Sequence, residues 1–331
     1  MVFNSLAGED QTPLRTQLLQ SHFMLDHAEY VEQAYLFDLL RERVAEGVPM
    51  QELLGQLRHE LLATTRLPMA IEYMLTELRH SGLMGHAMSR LGHYFASFQT
   101  FLISESEKET GRFSIHLALQ VLQADAKLRA DYTARLESID EAGNLGESFQ
   151  SVPRGGRLTP EGMAQRARSG SFFFQFEVLS RNRLGYDAGL TAMSNDPVYD
   201  TAWSKWLLDL RANVGLVDLA DLLFLASDEY RRRLIAEGLD IEGKGPFLFG
   251  EKEGRIALAN RRKDPVYLFG AMQRHLDYPP VPRPIKIEKD RDTIPALLRR
   301  IERLESRIKL MEQEQRQEFD LSKFYTKPDQ A

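Results

Sequence analysis

The chain has 331 residues, enough for about two domains and for a core that hides roughly three quarters of the surface its unfolded form exposes. Apolar side chains make up 43% and charged ones 27%, which excludes wholesale disorder and a multi-span membrane protein. The formal net charge of −6 is carried by the first part: residues 1–140 hold 12 Lys and Arg against 19 Asp and Glu, and the rest is nearly balanced. Such an acidic half repels nucleic acid, so nucleic acid is not the expected partner.

The opening residues have neither the basic nor the apolar stretch of a signal peptide. From residue 27 to 46, apolar positions Tyr30, Val31, Ala34, Tyr35, Leu39 and Leu40 recur at helical spacing. Gly47 and Pro49 break that helix. A second spans 50–64 through Leu53, Leu54, Leu57, Leu61 and Leu62. Leu67-Pro68 starts a third, which Ser81-Gly82 closes. A fourth covers 85–107 and a fifth 113–136. Helices joined so closely predict an antiparallel bundle over residues 1–140.

Residues 141–158, with four glycines and Pro153, read as a linker and a domain boundary. A second helical domain is expected over 159–277. Thr159-Pro160-Glu161 opens its first helix, which holds Phe172, Phe173, Phe174 and Phe176. Asp196-Pro197 starts another. Residues 216–233 read as a buried helix; the most apolar run, 215–227, is interrupted by Asp218 and Asp221 and is too short and too charged to span a bilayer, so no membrane partner is expected. Residues 246–260 read as a short β-hairpin turning at Glu251-Lys252-Glu253-Gly254. Asp264-Pro265 opens a helix to about His275. The fold class is therefore mainly α with one short hairpin.

Tyr278 to Pro284 carries four prolines and opens an extended spacer over 278–292. Residues 293–318 then form an amphipathic, coiled-coil-like helix, and 319–331 a tail. Ile294, Ile301 and Ile308 are seven apart, with Leu297, Leu304 and Met311 three residues after each. Isoleucine at a with leucine at d favours two parallel strands. Arg300 and Arg307 occupy g positions, and Glu305 and Glu312 the e positions that face them across a parallel dimer. The bases within 283–309 also allow a weak nucleic-acid contact, as a third reading.

Chemistry is harder to find. Without cysteine there are no disulfides, thiolate metal sites or cysteine nucleophiles, and a reducing cytoplasm is the expected setting. His59-Glu60 begins the zinc-protease pattern, but Ala63 replaces its second histidine. His86, His93 and His116 could meet across two helices as metal ligands, and Asp218 with Asp221 could act as a buried acid–base pair. A helical-bundle enzyme or cofactor binder built on those residues is the second reading. No hydrolase elbow or phosphate-binding glycine loop occurs, and no cofactor is expected. The first reading is a cytoplasmic homodimeric binding or adaptor protein with an unidentified protein partner and no catalytic activity of its own.

Overall fold

The computed structural model describes residues 25–108, 113–138 and 160–283, together with Ile301, Leu304, Glu305 and Ile308. Contacts divide the chain into a body, residues 1–284, and a C-terminal unit, residues 285–331. The body is mainly helical. Its first helices are α1 (His27–Val44), α2 (Met50–Leu57), α3 (Leu67–Ser81), α4 (Met84–Arg90), α5 (Ser97–Ser106) and α6 (Ile115–Glu137). They are followed by α7 (Pro160–Asn182), α8 (Tyr186–Ser194), α9 (Thr201–Asn213), α10 (Leu219–Leu225) and α11 (Asp228–Ala236). The last two are α12 (Glu251–Ala259) and α13 (Pro265–Leu276).

Local chemistry explains the well-defined ends. Asp26 caps α1 by accepting the Glu29 amide, and Ser114 caps α6 by accepting that of Leu117. Gly82 ends α3 in the left-handed conformation, φ 71°, which a residue without Cβ adopts at little cost. Asp264 caps α13 and Pro265 fills its first position, where a missing N–H costs nothing. The predicted linker, residues 141–158, lies outside the described residues. On either side of it, α6 and α7 pack together, and one hydrophobic core runs from Leu25 to Val281.

Several predicted elements differ: the helix expected to start at Asp196-Pro197 begins at Thr201, and the one expected over 50–64 ends at Leu57. The helix expected over 85–107 is two helices, α4 and α5. Between them the Gln99 side chain turns back to accept the Ala96 amide at 3.2 Å, which starts α5 afresh. The single buried helix expected over 216–233 is also two, α10 and α11. Ser227, wholly buried, separates them and caps α11, while Leu216 is 82% exposed. The expected hairpin over 246–260 is absent, and no strand occurs among the described residues. Residues 248 and 249 are extended, but their amides donate to Ala226 O at 2.8 and 3.0 Å, and Asp228 N donates back to Phe249 O. The supposed turn Glu251-Lys252-Glu253-Gly254 is the first turn of α12. Acids suit the positive end of a helix, and Glu251 pairs with Arg255 one turn on. Gly254 is there for space: a Cβ would overlap the Ser227 hydroxyl and come within 2.8 Å of Glu229 Cβ.

Residues 278–283 begin the proline-rich stretch as a strap on the body. Tyr278 and Val281 are buried, and the Asn182 side chain reaches Pro282 O at 3.5 Å. In the C-terminal unit the four described residues are helical.

Candidate functional site

The three predicted histidines do not assemble a metal site. His86 lies on α4 with its ring half exposed, 3.9 Å from Glu77 of α3. His93 is exposed in the turn after α4, and His116 is half-buried in the first turn of α6. Among the described residues no group of three or more His, Asp or Glu is placed to hold a metal ion.

Asp218 and Asp221 are engaged structurally. Asp218 caps α10 through the Ala220 amide at 3.0 Å, and its other oxygen accepts the Arg262 amide at 2.6 Å. Asp221 pairs with Arg261. Together they tie the α12–α13 turn to α10. Asp228 opens α11 beside Arg231; burial raises its carboxyl pKa, Arg231 opposes, and Glu253 and Glu251 add to the rise. Arg255 is shared between Glu229 and Glu251.

The aromatic run Phe172–Phe176 is core. Phe172 packs against Phe173, Phe176, Trp203, Trp206 and Phe249 with ring centroids 5.1–5.9 Å apart. An apolar cleft of about 270 Å³ lies beside it, lined by Phe176, Tyr186, Leu210, Val217, Leu222 and Phe269. Its carboxylate, Asp218, is already occupied in capping.

Sequence reasoning missed the most elaborate polar constellation, which lies inside the body. Arg129 of α6 is 1% exposed, as are Asp125 and Asp196. Its Nε donates to Asp125 Oδ2 at 2.8 Å. Its two terminal nitrogens grip Asp196 as a fork, Nη1 to Oδ1 at 3.1 Å and Nη2 to Oδ2 at 2.6 Å. Amides complete the shell. Gln99 of α5 donates to Asp125 Oδ2 at 3.0 Å and to Gln33 of α1 at 3.3 Å. Gln175 of α7 donates to Asp196 Oδ2 at 3.2 Å and accepts the Tyr199 hydroxyl at 2.8 Å. Four helices and the turn before α9 therefore meet in one network centred on the Arg129 ion pairs. Burial pushes the Tyr30 phenol up to about 12, with Arg129 pulling the other way.

Two smaller networks flank it. Glu29, 4% exposed, accepts the Tyr94 hydroxyl at 2.6 Å and the Arg66 amide at 2.7 Å. Burial first, and the bond to Glu29 second, hold the Tyr94 phenol far above its ordinary range. On α7, Glu177 pairs with Arg181 and accepts the Tyr278 hydroxyl at 2.7 Å, fastening the strap. These bonds join separate elements of the body.

Of the predicted self-association residues, Ile301, Leu304 and Ile308 are helical and 50%, 53% and 51% exposed, and Glu305 is helical and exposed. Ile294, Leu297, Arg300, Arg307, Met311 and Glu312 lie outside the described residues. No helix among the described residues is long and apolar enough to cross a membrane. Compared with known proteins, the chain matches no family model, no curated protein and no solved structure.

Proposed function

We propose that this chain is a cytoplasmic binding or adaptor protein, without catalytic activity of its own, that pairs with a second copy through the helix over residues 293–318. The observation that carries this reading is the state of Ile301, Leu304 and Ile308: helical, in heptad register, and each exposing about half of its surface. In a parallel two-stranded coil these are a and d positions, which the facing helix covers. Six such positions per chain, at roughly 1–2 kcal/mol each, supply the association. Arg300 facing Glu305, and Arg307 facing Glu312, add only about 0.2–1 kcal/mol per pair but set register and direction.

The body supports the same reading from the other side. Its buried charges form joints between helices, and the carboxylates and histidines expected to do chemistry are engaged as caps and pairs or stand apart. The cytoplasmic placement rests on the cysteine-free composition. Light scattering on the full chain tests the pairing. We expect twice the chain mass for the wild type and the chain mass for Ile301→Asp with Ile308→Asp. A wild-type monomer, or a mass unchanged by the double substitution, overturns it.

A further inference from the structure

Asp125 and Asp196 share Arg129 inside the body, each residue about 1% exposed. Two ionised carboxylates on one guanidinium leave an uncompensated negative charge, which a low-dielectric site tolerates poorly. The donors are also shared unequally. Asp196 has two on each oxygen: Arg129 Nη1 at 3.1 Å and Val198 N at 3.2 Å on Oδ1, Arg129 Nη2 at 2.6 Å and Gln175 Nε2 at 3.2 Å on Oδ2. That is a full set for an anion. Asp125 Oδ2 likewise has Arg129 Nε and Gln99 Nε2. Asp125 Oδ1 has only a long 3.4 Å contact from Arg129 Nη2.

We propose that this cluster is a buried proton-binding site: at neutral pH one proton sits on Asp125 Oδ1, Asp196 carries the charge that balances Arg129, and loss of the proton loosens the joint between α1, α5 and α6. Burial is the largest influence on the Asp125 carboxyl and raises its pKa; Arg129 opposes it, Asp196 adds to the rise, and the net direction is upward. Tyr30 from α1 and Tyr199 from the turn before α9 are both held above the ordinary phenol range, chiefly by burial, so they add no charge near neutrality. Gln99 from α5 carries no charge, and its hydrogen bond to Asp125 Oδ2 favours the anion, the smallest of these influences.

The sign follows from linkage. The native chain keeps this proton above the range, about pH 4, where an unfolded aspartate releases it. Its stabilising contribution is therefore complete below about pH 4 and declines as pH rises towards the native value, by up to tenfold in the folded-to-unfolded ratio per pH unit.

Infrared spectroscopy of the full chain, with carbon-13 in its aspartate carboxyls, tests the site without any variant. Asp125 and Asp196 are the buried aspartates among the described residues. We expect a label-sensitive protonated-carboxyl band at pH 7 that disappears in Asp125→Asn. Urea unfolding between pH 5 and pH 8 should show the wild type losing ground to Asp125→Asn, up to tenfold per unit. No band in the wild type, a band that survives Asp125→Asn, or parallel pH profiles would overturn the proposal. If Asp125→Asn does not fold, the wild-type band alone decides.

Discussion

The body and the C-terminal helix treat polarity in opposite ways. In the body, Arg129, Asp125 and Asp196 are almost inaccessible to water, and Arg129 pairs with both carboxyls. At the C-terminus, Ile301, Leu304 and Ile308 each show about half of their surface. A charged group is stable inside when every bond it makes in water is replaced. An apolar stripe at the surface gains nothing comparable until something covers it. The first region is complete within one chain. The second, on our proposal, is completed by another copy.

Breaking the body should have the larger effect. Replacing Arg129 with Met leaves the buried Asp125 and Asp196 carboxyls without their shared partner. We expect a loss of about 3–5 kcal/mol in urea unfolding, as for other buried pairs cut on one side. A loss below about 1 kcal/mol would show that the network does not hold the helices together.

A smaller effect is expected at α12. Gly254→Val drives a side chain into Ser227 and Glu229, where α11 begins, and should cost about 1–3 kcal/mol by overpacking. A neutral result would mean that α12 does not approach α11 as closely as described. Smallest is the effect of these substitutions on the body: Ile301→Asp with Ile308→Asp should leave its unfolding free energy in urea within about 0.5 kcal/mol of wild type at low protein concentration. A large loss would mean that these isoleucines stabilise the body itself, which removes the contrast.

The helices of the body were largely legible in the sequence, and its polar interior was not. Leu67-Pro68, Ser81-Gly82 and Asp264-Pro265 are local signals, read by caps and φ preferences within a few residues, and the helices start or stop there. Asp196-Pro197 carries the same local signal and misleads. The helix begins at Thr201, capped by Asp200, because the Asp196 side chain is drawn into the core by Arg129, 67 residues away. Asp125 and Arg129, four apart, look like any surface pair on α6; only Asp196, Gln99 and Gln175, from other elements, determine that they are buried. Phe247-Leu248-Phe249 is a short apolar run of the kind a strand can carry, but Phe249 is placed by the ring cluster around Trp203, and its backbone bonds go to Ala226 and Asp228. Asp218 and Asp221 suggested chemistry because their partners, Arg262 and Arg261, are some 40 residues away. The heptad register, by contrast, is wholly local.

The absence of native cysteine makes the pairing directly testable. In a parallel, in-register pair, position 311 of one copy lies beside position 311 of the other; in an antiparallel pair it lies beside position 294. Met311→Cys should therefore oxidise to a covalent dimer of the full chain, seen as doubled mass without reductant. A chain that stays at single mass under oxidising conditions would contradict the parallel pair.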